Sequence, residues 1–391
     1  MLPGAGLFRP SGGLVYRLEV RASYHYLPVV TIRFPTSGNK LAATQLAAKN
    51  PPTTLTEYET LAWRLCHDWL TGCEQFTLHT SGSTGTPKPV VLTRRQMAAS
   101  AAMTGRALGL QPGDTALVNL NVQYIAGVMM LVRGLELGLH LTVAEPTANP
   151  MAALPTTDSR FDFQSYVPLQ IKAASQTPEG LALLDTAKAV LVGGAPVSLM
   201  LETQLQAVES PVYQTYGMTE TVSHVALRRL NGLQRRDFYT ALPEVSFAQD
   251  ERGCLVIQAP QLHDAPLVTN DVVELLSAQT FRWLGRADNV INSGGVKVQA
   301  ETVEAEAGRI LAEMGLARRF FVAGVPDARL GEAVTLVLEG GPIGNQQEAV
   351  VLQGLKDRLP RYHAPAQVIH VPVFVDTPTG KIDRRTTLAA R

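Results

Sequence analysis

Residues 80–88 are the part of this 391-residue chain best suited to chemistry. They read Thr-Ser-Gly-Ser-Thr-Gly-Thr-Pro-Lys and follow a β run at residues 75–78. Glycine lets the backbone approach a ligand closely, and amide N–H groups, hydroxyls and a lysine can all bind phosphate oxygens. A phosphate-binding loop is one interpretation, and a flexible surface turn is the other. The candidate phosphate-binding residues are Thr80, Ser81, Gly82, Ser83, Thr84, Gly85 and Lys88.

The spacing within this segment does not fit the nucleotide loop G-x-x-x-x-G-K-[ST]. Lys88 comes three residues after Gly85, and Pro89 follows it, so a helix cannot open there as that loop requires. A phosphate-loop hydrolase is disfavoured for this reason, and release of ADP rather than AMP would identify one.

Three residues in the middle of the chain suit a nucleotide and its metal. Glu220 follows a β run at residues 212–215, where a carboxylate could hold Mg²⁺, which takes oxygen ligands and bridges phosphates. A solvated surface glutamate is the alternative. Tyr216 could stack on a purine or fill a half-buried position at a strand end. Asp271 could accept hydrogen bonds from both ribose hydroxyls, or cap a turn.

The remaining candidates are an arginine, a pair of glycines and a lysine near the end of the chain. Arg286 offers paired donors to ribose or phosphate, or a surface ion pair. Gly193 and Gly194 follow an apolar run and permit a tight turn near a ligand, although glycine pairs also end strands without one. Lys381 could stabilise charge that develops during phosphoryl chemistry, whereas taken alone it is a solvated lysine.

Six segments, in this order, resemble the motifs of the adenylate-forming superfamily of acyl- and aryl-CoA synthetases, luciferases and peptide-synthetase adenylation domains. One such motif is weak evidence, whereas six in register are strong evidence. The segments are residues 80–88, 193–196, 216–220, 267–271, 285–289 and 378–382.

The resemblance implies a two-step ligase. A substrate carboxylate attacks the α-phosphorus of Mg·ATP, and the thiol of CoA then displaces AMP from the acyl-adenylate. No Ser/His/Asp or Cys/His triad is needed, because positioning and charge stabilisation dominate such chemistry. The implied roles are catalysis by Lys381, Glu220 and Thr219, metal binding by Glu220 and Thr84, adenine and ribose binding by Gly194, Ala195, Pro196, Tyr216, Gly217, Asp271 and Arg286, and a hinge at Asp288 for the C-terminal domain.

The acid is indicated by a narrower resemblance. Residues 216–228, 124–127 with 129–133, and 289–295 resemble the o-succinylbenzoate–CoA ligases of menaquinone synthesis. That acid has an aromatic ring and two carboxylates, so its pocket needs aromatic surface and a positive or donor group. Tyr124 and His224 are the candidates, and a core tyrosine and a satisfied half-buried histidine are the alternatives.

Other functions stay open at this point. The chain could be another aryl- or acyl-CoA ligase, an adenylating enzyme that loads a carrier protein, or a nucleotide-binding protein without turnover. The presence of both Lys381 and Glu220 argues against the last. Asn270 and Asn292 stand where relatives often have glycine and lysine, which leaves the CoA geometry open.

From residue 75 onward, β runs alternate along the chain with segments of helical periodicity, and these elements must position the candidate residues. This pattern predicts an α/β fold with a large N-terminal domain of mostly parallel sheet, a small β subdomain, and a small mobile C-terminal α+β domain. The predicted divisions are an N-terminal region at 1–74, an AMP-binding domain at 75–287 and a C-terminal domain at 288–391. Predicted helices include residues 57–70, 94–110 and 125–137.

Composition narrows the class of partner. Lys and Arg number 34 against 34 Asp and Glu, so no global charge favours nucleic acid or an anionic membrane. No uncharged apolar run reaches the roughly 18 residues that a spanning helix needs. The three cysteines form no metal-binding spacing and indicate a reduced compartment. We therefore expect a cytoplasmic protein without structural zinc, for which a homo-oligomer is possible.

Overall fold

The computed structural model describes residues 30–79, 89–154, 160–377 and 382–390. These ranges form one large sheet, one small sheet and a separate strand pair, with helices packed against them. The strands are β1 (Thr31–Phe34), β2 (Asn39–Ala42), β3 (Gln75–His79), β4 (Pro89–Thr93), β5 (Thr115–Val118), β6 (His140–Val143), β7 (Phe163–Tyr166), β8 (Ala189–Val192), β9 (Val212–Gly217), β10 (His224–Arg229), β11 (Tyr239–Ala241), β12 (Ser246–Gln249), β13 (Cys254–Gln258), β14 (Leu267–Ser277), β15 (Thr280–Arg286), β16 (Val290–Ser293), β17 (Val296–Gln299), β18 (Phe320–Asp327), β19 (Gly331–Glu339) and β20 (Gln367–Val371). The α-helices are α1 (Ala43–Leu46), α2 (Glu57–Leu70), α3 (Arg94–Leu108), α4 (Ile125–Leu137), α5 (Pro168–Ala174), α6 (Pro178–Leu184), α7 (Leu199–Gln204), α8 (Ala300–Glu313), α9 (Asn345–Arg358) and α10 (Arg384–Ala389).

The large sheet changes character at β9. Its order is β12-β13-β14-β15-β11-β10-β9-β8-β7-β5-β6-β1-β2. The pairs from β1 through β6, β5, β7 and β8 to β9 are parallel, and those from β9 through β10 to β12 are antiparallel. The α/β prediction is confirmed. The β subdomain continues the main sheet, because β11 pairs with both β10 and β15.

Helices cover both faces of the parallel half, as a strand pattern that is apolar on both sides requires. In β5, Ala116 and Val118 face the core formed with α2, α3 and α4, while Leu117 between them faces the core formed with α5, α6 and α7. Successive side chains of a strand point to opposite faces, so one short apolar run supplies both cores.

Helix ends follow local signals. The Thr56 side chain accepts a hydrogen bond from the Glu59 amide, and the Glu59 carboxylate accepts one from the Thr56 amide. This reciprocal capping box begins α2 at the predicted residue. The helix α3 stops at Leu108, two residues before its predicted end, because Gly109 adopts φ 65° and closes it.

A two-stranded antiparallel pair, β3 with β4, stands apart from the main sheet. It flanks residues 80–88. These residues, the predicted phosphate loop, lie outside the described residues. The helix α3 begins directly after β4 and carries this connection back into the main core.

The C-terminal part of the chain builds a second core. The strands β16 to β20 form a five-stranded sheet on which α8 and α9 pack through Val303, Ile310, Val351 and Leu355. The division at residues 287 and 288 stays a prediction. Along the parts of the chain described above, no helix has the length and apolar character needed to cross a bilayer. All three cysteines are free thiols.

Candidate functional site

The carboxyl ends of β8 and β9 bring two predicted nucleotide motifs together. These strands are parallel neighbours, with Val192 opposite Gln214. Gly193 follows β8, and a side chain there would collide with Thr215, since a Cβ would lie 2.3 Å from the Thr215 Oγ1. Gly194 has φ 84°, a left-handed conformation that glycine adopts without strain. The turn that continues through Ala195 and Pro196 therefore lies beside the end of β9, where Tyr216 stands.

Tyr216 and Asp271 form the centre of the predicted ribose region. The Tyr216 hydroxyl donates to the Asp271 Oδ2 at 2.6 Å. Burial, together with the nearby carboxylate, raises the pKa of Tyr216 above its ordinary value, so the phenol remains a donor. The ring packs against Tyr239 and Phe281 with centroids 5.6 and 5.0 Å away. The tyrosine is half-buried at the strand end, and its stacking on a purine stays a prediction.

Arg286 joins the same carboxylate to the predicted hinge. Its Nη1 lies 3.5 Å from the Asp271 Oδ1, and its Nη2 donates to the Asp288 Oδ2 at 2.7 Å. Trp283 also donates its Nε1–H to the Asp271 Oδ1, at 3.2 Å. Sequence reasoning missed this tryptophan, because simple alternation places residues 283 and 286 on opposite faces of β15, and the register shift between Val272 and Val273 that aligns Trp283 with Asp271 has no sequence signal. Any ligand hydroxyl that binds Asp271 would share the carboxylate with these donors.

A tight turn between β9 and β10 carries Thr219 and Glu220. Gly217 allows it, because a Cβ there would lie 2.3 Å from the Ser223 carbonyl oxygen. The Thr221 hydroxyl accepts from the Met218 amide at 2.9 Å and holds the turn closed. Inside it, Val222 is fully buried with φ 66°, a conformation that is costly for a β-branched residue.

The Glu220 side chain fits a magnesium ligand. It is exposed, and among the described residues it makes no side-chain hydrogen bond or ion pair. The same residues contain no group of three or more His, Cys, Asp or Glu side chains that could hold a metal. Mg²⁺ usually binds through one or two carboxylates and substrate phosphates rather than a full protein cage, so a single free carboxylate matches its chemistry.

A buried arginine on α4 is the main feature that sequence reasoning did not assign. Arg133 is 2% exposed, and no carboxylate pairs with it in the part of the chain that the structure describes. Its Nη2 donates to the Ser223 Oγ at 2.6 Å, and its Nε to the Thr104 Oγ1 at 3.3 Å. Burial lowers the pKa of Arg133 to about 9. The available signal was a single cation inside the otherwise uncharged run of residues 125–135.

His224 lies against this guanidinium, and the contacts define its state. Its Nδ1 is 3.4 Å from the Arg133 Nη2, which can only donate, so Nδ1 must accept. Its Nε2–H then donates to the Thr104 Oγ1 at 3.2 Å. Burial, reinforced by the positive charge of Arg133, lowers the pKa of His224 well below its ordinary value. A neutral His224 therefore holds Arg133 in place.

Tyr124 is not brought to this cluster. It is the residue before α4, half-buried, while Arg133 lies nine residues further along. At about 1.5 Å and 100° per residue, that separation spans some 13 Å along the helix and half a rotation around it. The assignment of Tyr124 to the acid stays a prediction.

The late lysine motif is only partly visible, because Lys381 lies outside the described residues. Arg384, two residues after that motif, pairs with Glu304 of α8 at 3.0 Å. Gln299 donates to the Arg286 carbonyl oxygen at 2.9 Å, and a Cβ on Gly285 would lie 2.1 Å from the Gln299 Nε2. The C-terminal sheet is thus in direct contact with the end of β15.

Comparisons with known proteins show what the chain is similar to. A family model described as AMP-binding enzyme matches residues 75–246. The crystal structure of an acyl-CoA synthetase (AMP-forming)/AMP-acid ligase II-like protein from Dyadobacter fermentans is 43% identical, with a TM-score of 0.60 over 89% of this chain and 98% of that one.

Two more distant relatives are named for one acid. The probable 2-succinylbenzoate–CoA ligase of Mycobacterium tuberculosis is 29% identical over 320 residues, which cover 78% of this chain and 81% of that protein. The o-succinylbenzoate CoA synthetase of Bacillus subtilis, solved with its acyl-adenylate intermediate, is 21% identical with a TM-score of 0.67, covering 81% of this chain and 69% of that one. The latter similarity concerns the fold alone.

Proposed function

The chain belongs to the AMP-binding enzyme family, as its six motifs predicted, and from that membership we propose that it is an AMP-forming acid–CoA ligase. We propose o-succinylbenzoate as the acid and o-succinylbenzoyl-CoA, a precursor of menaquinone, as the product. The names of the relatives support this choice, and the chemistry of the buried site provides an independent argument.

Arg133 is the observation that carries the choice of acid. An isolated buried cation is costly, and a carboxylate placed against it would recover that cost through charge-assisted hydrogen bonds. The acid has two carboxylates, of which one is adenylated and the other remains free. We assign the free carboxylate to Arg133, with Ser223 as a second donor and His224 and Thr104 orienting the guanidinium.

The remaining residues place the nucleotide beside this acid. Residues 193–196 with Tyr216 would hold the adenine, and Asp271 with Arg286 the ribose hydroxyls. Residues 80–88 would bind the phosphates, and Lys381 would place its ammonium group near the reacting carboxylate as charge redistributes. Mg²⁺, held by Glu220 and Thr84, would neutralise phosphate charge when bound.

The second half-reaction needs access for CoA. We propose that the C-terminal domain rotates about Asp288, which is exposed and bonded to the flexible side chains of Arg286 and Asn270. Because these contacts are polar and exposed, they cost little to exchange. The free thiols and the use of ATP and CoA support a cytoplasmic location, and a homo-oligomer stays a prediction.

Glu220→Gln tests the metal assignment. The amide keeps the shape of the side chain and removes its charge, so we expect the Mg²⁺ concentration for half-maximal ATP–pyrophosphate exchange to rise about tenfold or more. Glu209→Gln, which neutralises another exposed carboxylate on the large domain, is the control. A magnesium titration that matches that of the unmodified protein would remove Glu220 from the metal site.

The function itself is tested by product release. The protein is incubated with ATP, CoA and a panel of aromatic and aliphatic acids, and AMP and pyrophosphate are measured. We expect both products with o-succinylbenzoate and far less with acids that carry one carboxylate. ADP formation would contradict the proposed reaction, and preference for another acid would contradict only the substrate.

A further inference from the structure

A histidine from a different part of the sheet contacts the turn that carries Glu220. The His263 Nε2–H donates to the Glu220 carbonyl oxygen at 2.5 Å. The ring is half-buried, and neither the motifs nor the ligand assignments above use it.

His263 is held by a short turn after β13. The Leu262 and His263 amides both donate to the Ala259 carbonyl oxygen, at 2.8 and 3.0 Å. Leu262 is 1% exposed, so its side chain anchors the turn in the main core. These backbone hydrogen bonds and the buried Leu262 side chain fix the position of the His263 backbone, from which the imidazole extends.

Gln96 ties this turn to the start of α3. Its Nε2 donates to the Leu262 carbonyl oxygen at 2.7 Å, while its Oε1 accepts from the Thr93 amide at 2.9 Å. Thr93 is both the last residue of β4 and the cap of α3. A continuous series of hydrogen bonds therefore runs from the junction of β4 and α3, through Leu262 and His263, to the Glu220 peptide.

The turn at Glu220 depends on this outside support. Within the described ranges its other backbone bonds are local, such as those from the Thr221 amide to the Met218 carbonyl oxygen and from the Val222 amide to the Thr219 carbonyl oxygen. Val222 adds backbone strain within the same turn. A strained turn held by local bonds alone can rotate its exposed peptide, and rotation of that peptide would redirect the Glu220 carboxylate.

We propose that His263 is a positioning residue that fixes the Glu220 peptide, so that the carboxylate keeps one direction before magnesium and ATP arrive. This inference rests on the proposed function, because fixing the Glu220 carboxylate by the His263 hydrogen bond matters only if Glu220 binds a metal. His263 acts through the backbone of Glu220 and not as a ligand.

The test uses calorimetry on the full-length protein with two nucleotides. One is α,β-methylene-ATP with Mg²⁺, which needs the metal site, and the other is AMP without metal, which does not. His263→Leu keeps the bulk and removes the donor, whereas His263→Gln keeps an N–H near the position of Nε2. His140→Leu is the control, because His140 is a half-buried histidine whose side chain bonds Thr31 at the far end of the main sheet.

Loss of one hydrogen bond corresponds to a change of about five- to tenfold in affinity. We expect His263→Leu to raise the Kd for the magnesium nucleotide by that factor, with the Kd for AMP within twofold of the unmodified value. His263→Gln should restore most of the affinity. Thermal melting of each variant checks that the fold is retained.

Three results would overturn the inference. They are an unchanged magnesium-nucleotide Kd in His263→Leu, an equal loss for both nucleotides, and an absence of rescue by His263→Gln. Failure of the unmodified protein to bind either nucleotide would instead contradict the proposed function.

Discussion

Arg133→Met is expected to lower kcat/KM for o-succinylbenzoate by about 10²–10³-fold, because a carboxylate would then be desolvated without a charged partner. Methionine approximates the length and volume of the arginine stem without its charge. Removing an isolated buried cation also removes its desolvation cost, so we do not expect the free energy of unfolding to fall enough to explain the loss. The measurements are initial rates of AMP release and urea unfolding.

A matched pair of acids separates this role from a general effect on the site. The second acid has the same skeleton without the carboxylate that we assign to Arg133. The unmodified protein should strongly prefer the dicarboxylate, and Arg133→Met should handle the two acids almost equally. If the variant loses activity by the same factor on both acids, Arg133 does not bind the free carboxylate. Arg106→Met, an exposed arginine paired with Glu244, serves as the control substitution.

Lys381→Ala is expected to reduce acyl-adenylate formation by at least about 10²–10³-fold, since it removes a positive charge aimed at charge that develops in the transition state. Thioester formation from supplied acyl-adenylate and CoA should be largely spared. Pyrophosphate exchange measures the first step, and thioester absorbance the second.

The control for this result is Arg385→Ala, which removes an exposed cation from the same segment. It should leave both steps close to normal. Equal loss of the two half-reactions in Lys381→Ala would contradict the assignment of Lys381 to adenylation and would indicate damage to the C-terminal domain as a whole.

Local signals made much of the fold predictable. The helices α2 and α4 have the predicted bounds, because a capping box begins α2 and Gly138 at φ 71° ends α4. The end of α3 was placed too late, since Leu110 continues the apolar period beyond the glycine that closes the helix. The strand β10 was not predicted, because only its first four residues are buried and its end is cationic.

The site was predictable only where its residues belong to recognisable sequence motifs. Motif order indicated Tyr216, Asp271 and Arg286, and the structure places them in contact. The contact between Arg133 and His224 joins residues 91 positions apart, and no local pattern predicts such a pair. The tautomer of His224 depends on that contact and so could not be inferred from the sequence.

The proposed metal ligand and the proposed acid site share one turn, residues 218–223. Glu220 lies on this turn. Its last residue, Ser223, accepts a hydrogen bond from Arg133 and is followed directly by His224, which also faces Arg133. Attempts to retarget the enzyme to new acids through Ser223 or His224 would therefore disturb magnesium binding as well. Variation on α4 avoids this conflict, and we expect substrate range to diverge among homologues there sooner than on the turn.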